Sequence, residues 1–267
     1  MSQLSGPEIK RQMKRTWWQK FTNQPPNILI RPFTEELLGS NSYDLRLGNI
    51  LRIYKNTLPP GMRPAIKLEE GKIYDPRNAM REWFYTNEDY DLYMRRPDIF
   101  DPRNPAYTVF PFKSNKKETI DIEIPKSGLI LSPFTGYLGA TVEYTETFRL
   151  FPYIDGKSSI GRNFILTHFT AGRGDDGFCG TWTLEIACKY PTPVKPGMSI
   201  GQIYYDRFKG KRKPYHLNPK SHYSGQTLPK AASVVPIIET HLPEFATEKD
   251  RLEIAVKNAA FHDAHHQ

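Results

Sequence analysis

The sequence predicts an all-β sandwich or barrel. From Ile120 to Ile124, three isoleucines alternate with two acidic residues, which is the period-2 pattern of a half-buried strand. Further short apolar segments follow, and proline or glycine separates one from the next, as at Pro196-Gly197. With 23 prolines and 18 glycines in 267 residues, the chain has the composition of many short strands joined by turns.

The same pattern predicts five more strands, and each is bounded by turn residues. In the strand that contains Leu184 and Glu185, alternation places these two side chains on opposite faces of the sheet. The last strand follows Pro196-Gly197, and its apolar residues are predicted to fill the core. The five strands are Leu129 to Ser132, Tyr137 to Glu143, Phe164 to His168, Trp182 to Ala187 and Ile200 to Tyr205.

Three regions are predicted to lie outside the β core. Residues 1–22 contain a predicted helix, Pro7 to Phe21, and residues 52–117 are interpreted as an insertion rich in Pro, Arg, Asp and Tyr. From about Glu244 to His262, apolar or small residues recur at helical spacing. This spacing predicts an amphipathic helix that packs on the body or on a neighbouring subunit.

Composition and charge narrow the classes of partner. No segment approaches the roughly 20 apolar residues of a membrane span, and the N-terminus lacks an apolar signal core, so we expect a cytoplasmic protein without a membrane partner. The net charge of +8 and the pI ≈ 9.3 permit a polyanionic partner. Because the basic residues are scattered and no nucleic-acid-binding motif accompanies them, nucleotide triphosphates explain this charge at least as well as DNA does.

The two cysteines, Cys179 and Cys188, form no CxxC pair. Neither a disulfide framework nor a zinc knuckle is expected from one pair at this spacing. We interpret them as two partly buried thiols on a strand.

The segment from Asp155 to Ile186 carries most of the chemistry. It begins with DGKSSIGR, in which Lys157 and Arg162 flank two serines while glycines allow close backbone approach. Hydroxyls and cations in this arrangement predict a phosphate-binding segment. An ordinary serine-rich turn has the same composition, so this motif alone does not decide between the two.

The second motif, HFTAGRGDDGFCG, runs from His168 to Gly180. Asp175 lies on a glycine-flanked turn, where its carboxylate could accept a hydrogen bond from a sugar hydroxyl. The neighbouring Asp176 is interpreted as a solvated turn residue, and His168 as a packed strand histidine. The third motif is Glu185 in TWTLEIA, for which an exposed strand glutamate is the simplest interpretation.

Together these motifs, followed by the strand TPVKPGMSIGQIYYD, resemble the trimeric dUTPase/dCTP deaminase superfamily, and Glu185 in its Leu-Glu context resembles the deaminase branch. The resemblance covers roughly residues 27–51 and 118–233. It implies a mostly β fold, a distorted jelly-roll or dUTPase-like barrel with short flanking helices, that forms a homotrimer with sites shared between subunits. It divides the chain into a domain at 1–233, with the insertion, and a C-terminal extension at 234–267.

The resemblance also implies roles for individual residues. Glu185 would be the general base for water that attacks C4 of cytosine, assisted by Ser158 and Arg162. Asp175 would hold the deoxyribose 3′-hydroxyl, and Lys157 stands where the family has an arginine. The segment Lys213 to Ser233 resembles the family's mobile lid. The further nucleotide-binding residues are Ser159, Thr170, Ala171, Arg173 and Phe178 beside the motifs, and Tyr215, His222 and Gln226 in the lid.

Two other elements are similar to family segments outside this core. In NSYDLRLGN, Asp44 and Arg46 are interpreted as an internal ion pair or a subunit contact. Gln202 is a candidate for a hydrogen bond to backbone near the site.

The implied reaction is hydrolytic deamination of dCTP to dUTP and ammonia. Mg²⁺ would only neutralise the triphosphate, and no catalytic zinc is expected because the H-x-E…P-C-x-x-C signature of zinc deaminases is missing. Two alternatives stay open: a bifunctional enzyme that goes on to dUMP and diphosphate, and a nucleotide-sensing module without catalysis. The Thr-Ala-Gly at Thr170 to Gly172 is also seen in the bifunctional enzymes. dTTP is a candidate inhibitor, and nucleic acid is not an expected partner.

Overall fold

The computed structural model describes residues 2–54, 58, 61–69, 71–72, 79–95, 119–217, 223 and 225–230. Within them the protein is mostly β, as predicted. The strands are β1 (Ile28–Arg31), β2 (Tyr43–Tyr54), β3 (Ala65–Lys67), β4 (Thr119–Glu123), β5 (Leu129–Leu131), β6 (Tyr137–Thr147), β7 (Leu150–Gly156), β8 (Ile165–Leu166), β9 (Cys179–Cys188), β10 (Thr192–Val194) and β11 (Ser199–Arg207). The helices are α1 (Gly6–Gln12), α2 (Trp17–Phe21), α3 (Ala79–Glu82), α4 (Asn87–Arg95) and α5 (Ser158–Gly161).

In the described part of the chain, eight strands form one antiparallel, nearly closed and barrel-like sheet. Its order is β7-β11-β2-β6-β9-β8, with β1 also paired to β6 and β4 also paired to β2. A smaller sheet has the order β10-β5-β3. The predicted barrel with short flanking helices is thereby confirmed, whereas the homotrimer stays a prediction.

Alternation along the long strands builds the core. On β2, Tyr43, Leu45 and Leu47 are completely buried, while the residues between them are partly exposed. On β9, Trp182, Leu184 and Ile186 point into the same core. Ile200 and Ile203 of β11 are also fully buried, as predicted.

The predicted strands are present, with shifted ends. β6 and β9 run longer than predicted, because their antiparallel pairing with each other continues beyond the local apolar pattern. The strand predicted at Phe164 to His168 is reduced to two residues, β8. Phe164 has a φ of 56° and is 55% exposed, so it precedes the strand instead of starting it.

The N-terminal prediction is wrong in two respects. The single helix predicted from Pro7 to Phe21 is two helices, because the hydroxyl of Thr16 accepts the backbone N–H of Gln19 and the Gln19 side chain accepts that of Thr16. This capping box begins a new helix. The region also belongs to the core, since Leu4 and Ile9 are buried within it.

The described part of the insertion builds a small hydrophobic cluster of its own. β2 continues to Tyr54, and β3, α3 and α4 follow. In the connections between these elements, the buried side chains of Met62, Trp83 and Phe84 pack with Ile130 of β5. The rest of the insertion and the helix predicted from about Glu244 to His262 lie outside the described residues, so the domain boundaries remain predictions.

Candidate active site

Glu185 occupies a defined position on β9. Its backbone N–H donates to the carbonyl of Thr167 at 3.0 Å, and its carboxylate Oε2 accepts the backbone N–H of Phe169 at 2.9 Å. The neighbouring Leu184 is 1% exposed, whereas Glu185 is partly exposed on the opposite face, as the alternation predicted. A carboxylate fixed at one oxygen and open to solvent has a free oxygen with which to accept a proton.

The serine motif begins where β7 ends at Gly156. Lys157 is the N-cap of α5, Ser158 and Ser159 are exposed on its first turn, and Arg162 is its exposed C-cap. The ammonium of Lys157 donates to the carboxylate of Asp44 on β2. This ion pair fixes a cation beside the two hydroxyls.

Gln202 of β11 supports the same segment. Its side-chain Nε2 donates to the carbonyl of Gly156 at 3.2 Å, and its Oε1 accepts the hydroxyl of Ser42 at 2.9 Å. The hydrogen bond predicted for Gln202 near the site is therefore confirmed.

Thr167 joins the serine motif to Glu185. A Cβ on Gly156 would lie 3.5 Å from Thr167 Oγ1, while the Thr167 carbonyl binds the backbone of Glu185. Thr167 Oγ1 is buried and has no hydrogen-bond partner among the described residues. Within a single chain, the start of the serine motif and the backbone of Glu185 thus both lie next to Thr167.

The turn that carries Asp175 is fastened to β7 through the backbone. Gly172 accepts from Ile154 N–H at 2.6 Å, and Gly174 donates to the carbonyl of Pro152 at 2.9 Å. A Cβ on Gly174 would lie 2.2 Å from the Trp182 ring, so this approach requires glycine. Asp175 itself is exposed at the tip of the turn.

The other residues predicted around this turn fall into exposed and buried groups. Phe178 is 7% exposed and packs against Trp182 with the two rings tilted, at 4.6 Å between ring centroids. The guanidinium of Arg173 lies over the ring of Phe151, at 4.9 Å. Thr170 and Ala171 are exposed, and they follow Phe169, whose backbone N–H binds Glu185.

The interpretation of Asp176 as a solvated turn residue is wrong. Asp176 is 3% exposed, because the β6–β7 turn and the segment after β11 close over it. Its Oδ1 accepts the backbone N–H of Arg149 at 2.7 Å, and its Oδ2 accepts Arg212 Nε at 2.7 Å. A buried carboxylate of this kind is stable only with such partners.

Of the three nucleotide-binding residues predicted in the lid, Tyr215 and Gln226 lie within the described residues, and neither is bonded to Glu185 in the same chain. The lid residue Lys230 comes nearer, since its backbone N–H donates to Thr183 Oγ1 at 3.1 Å. Gln226 pairs with Thr181 of β9: its carbonyl accepts Thr181 N–H at 2.9 Å, and its Nε2 donates to the Thr181 carbonyl at 2.7 Å. Thr181 precedes Glu185 by four residues, which is about 13 Å along a strand. Tyr215 packs beside Phe178, at 6.3 Å between centroids. His222 lies outside the described residues.

Sequence reasoning missed two groups that shape the site, and it did not identify the partner of a third, Asp44. Asp44 pairs with Lys157, 113 residues away, and Arg46 pairs with the buried Glu143, so Asp44 and Arg46 do not form the ion pair considered for them. Phe169 acts through its backbone N–H, for which no side-chain signal exists. Arg212 belongs to no sequence motif, and only its contact with the buried Asp176 in the structure reveals its role.

The described residues contain no cluster of three or more His, Cys, Asp and Glu side chains arranged to hold a metal ion. Among them, no helix is long and apolar enough to cross a membrane.

Comparisons with known proteins identify the family. A family model described as dCTP deaminase-like matches residues 3–208. A dCTP deaminase, dUMP-forming, of Cytophaga hutchinsonii is 33% identical over 222 residues, which cover 83% of this chain and 92% of that protein. A protein of the same name from Hathewaya histolytica is 33% identical, and the match covers 79% of this chain and 87% of that protein. Another, from Clostridium beijerinckii, is 34% identical, and the match covers 78% of this chain and 84% of that protein.

A solved 2′-deoxycytidine 5′-triphosphate deaminase from Agrobacterium tumefaciens has a weaker likeness. Its TM-score is 0.42 at 15% identity, and the match covers 76% of this chain and 47% of the solved one. This likeness carries no argument about the site. The family model and the sequence relatives, by contrast, span most of the chain, and the protein therefore belongs to the dCTP deaminase-like family.

Proposed function

We propose that the protein is a bifunctional enzyme that converts dCTP and two water molecules into dUMP, ammonia and diphosphate. Its relatives are named as dUMP-forming, which favours this alternative over the expected release of dUTP. The observation that carries the proposal is the carboxylate of Glu185, held at the Phe169 N–H next to the start of the serine motif.

In the first step, water adds to C4 of the cytosine ring. Glu185 takes a proton from this water and delivers it to N3. It then passes the proton of the resulting C4 hydroxyl to the amino group, so that the C4–N bond breaks, ammonia leaves and a carbonyl forms. The hydrogen bond from Phe169 leaves the second carboxylate oxygen for this transfer. Ser158 and Arg162 orient the water and offset the negative charge that develops on the ring.

In the second step, water attacks the α-phosphorus of dUTP and diphosphate leaves. Lys157, fixed by Asp44, and the hydroxyl of Ser159 bind phosphate oxygens, and Asp175 holds the 3′-hydroxyl of the sugar. Asp175 and its neighbours also help to position the hydrolytic water. Mg²⁺ bound to the triphosphate would neutralise part of its charge, because the hard phosphate oxygens suit this ion and it would need few protein ligands.

Ammonia and diphosphate measured in one dCTP reaction test the proposal. We expect both products in equal molar amounts throughout the time course, because one dCTP releases one of each. Ammonia without diphosphate would limit the enzyme to deamination, and diphosphate without ammonia would contradict the role of Glu185. An enzyme that leaves dCTP intact would overturn the proposal altogether.

A further inference from the structure

The carboxylate of Asp176 joins three chain segments behind the Asp175 turn. Besides Arg149 N–H on Oδ1, the guanidinium of Arg212 contacts Oδ2 through both Nε and Nη2, each at 2.7 Å. The Asp176 backbone carbonyl accepts the N–H of Tyr215 at 2.6 Å. One residue therefore connects the β6–β7 turn, the Asp175 turn and the segment that follows β11.

The third of these segments leads into the residues that resemble a lid. The hydroxyl of Tyr215 accepts the backbone N–H of Tyr223 at 3.1 Å. The Tyr215 ring also lies against Phe178, which follows Asp175 by three residues. A displacement of Tyr215 would consequently disturb both the lid segment and the turn that carries Asp175.

Arg212 is the partner that supplies the charge opposite to the buried carboxylate of Asp176. The side chain of Asp176 is 2% exposed, and an ionised carboxylate at such a position needs an opposite charge. Arg212 supplies it from the more exposed side, where 34% of its own side chain remains accessible. The adjacent Lys211 is exposed and makes no contact with Asp176.

We propose that Asp176 and Arg212 are positioning residues, whose ion pair holds Asp175 and Tyr215 in a fixed arrangement before a nucleotide binds. The identity of that nucleotide rests on the proposed function. When the Asp175 turn and Tyr215 are already ordered in the free protein, the nucleotide does not have to order them on binding. The entropic cost of binding is then smaller and the affinity is higher. Loss of the pair therefore weakens nucleotide binding and raises KM, while kcat changes little because neither residue touches the reacting atoms.

The test compares Arg212→Gln with the matched control Lys211→Gln, which loses the same charge one residue away. The Kd of α,β-imido-dUTP is measured by calorimetry, together with KM and kcat for dCTP. For Arg212→Gln we expect KM and Kd to rise about tenfold, equivalent to about 1.4 kcal/mol. The Lys211→Gln control should stay at the wild-type values, and Arg212→Lys should recover part of the loss.

A double-mutant cycle separates the ion pair from a general loss of stability. Asp176→Asn combined with Arg212→Gln should bind no more weakly than the worse single variant, and thermal unfolding is followed for each. Fully additive losses, or a fall in kcat with unchanged KM and Kd, would overturn the proposal. A wild-type protein that binds the analogue but releases no dUMP would refute only the proposed function, because the Kd comparison remains decisive for the pair.

Discussion

The residue with the sharpest predicted effect is Glu185. In Glu185→Gln the side-chain carbonyl can still accept the N–H of Phe169, so the local structure should persist, whereas proton transfer is lost. We expect ammonia release from dCTP to fall by about 10³-fold, within the usual range for a general base. The Kd for dCTP, measured by calorimetry, should change less than about threefold, under 1 kcal/mol.

Glu123→Gln is the control, because Glu123 is an exposed glutamate at the end of β4, remote from β9 in the sheet order. It should deaminate like the wild type. Wild-type ammonia release by Glu185→Gln would exclude this glutamate as the base.

Glu185 and Asp176 differ in how far their surroundings can be inferred from the chain. Glu185 lies on a strand whose apolar alternation is visible in the sequence, so the sequence predicts its face, and its Leu-Glu context suggests a role. Asp176 gives no such signal. Its burial depends on Arg149 and Arg212, which approach from segments 27 and 36 residues away, and a local pattern contains no record of such contacts.

At the scale of elements, the Asp175 turn depends on close packing against β7 and β9. Gly174→Ala places a Cβ 2.2 Å from the Trp182 ring and 2.9 Å from Pro152, so one of these must move. We expect the free energy of unfolding to fall by about 2 kcal/mol, as for other overpacked sites. Denaturant unfolding followed by tryptophan fluorescence measures the change.

Gly161→Ala is the matched control, since a Cβ there meets no atom within 4 Å. It should be neutral or should raise stability by about 0.5 kcal/mol. Equal losses in the two alanine variants would show that backbone freedom, and not contact with Trp182, matters at these glycines.

The attachment of α1 to β11 has a predicted pH dependence. Hydrogen bonds from Arg11 and Gln12 lower the pKa of Glu8 from 4.5 to about 2, and Arg207 of β11 donates to the same carboxylate at 2.6 Å. The lowered pKa means that Glu8 stabilises the folded state above pH 4.5 and that this contribution disappears as the pH falls towards 2. Because the arginines are largely exposed, the contribution should be under about 1 kcal/mol.

Thermal unfolding of Glu8→Gln checks this prediction. At pH 7 the variant should have a lower Tm than the wild type, and the two values should converge as the pH falls from about 4.5 to about 2. Glu36→Gln, at an exposed position, provides the comparison. A difference in Tm that grows on acidification would contradict the assigned sign.

Elements were easier to predict from the sequence than their ends or their partners. Period-2 alternation and turn residues are local, and they indicated every strand from β4 onward except β7 and the short β10. The break between α1 and α2 was missed because apolar and basic residues continue through it, and only the reciprocal hydrogen bonds of Thr16 and Gln19 end the helix. Pairing across the sheet, as between β2 and β11, depends on residues far apart in the chain.

For the whole molecule, we propose the homotrimer that the family resemblance implies. Phe164, Leu166 and Phe169 are 55%, 51% and 59% exposed beside the Glu185 segment, an apolar surface suited to contact with another copy.

Light scattering coupled to size exclusion should give three times the chain mass of 30.9 kDa. Leu166→Asp should dissociate the assembly and lower dUMP formation by more than about tenfold, since buried charge opposes association. Leu92→Asp, on the exposed side of α4, should leave both unchanged. A fully active wild-type protein of 30.9 kDa would contradict a shared site.

A single protein that carries dCTP through to dUMP has a simple product pattern. The purified protein is incubated with dCTP and Mg²⁺, and the nucleotides are separated by anion-exchange chromatography over time. We predict that dUMP appears from the first time points and that free dUTP never accumulates. Stoichiometric accumulation of dUTP, with dUMP absent, would show that the protein performs deamination alone.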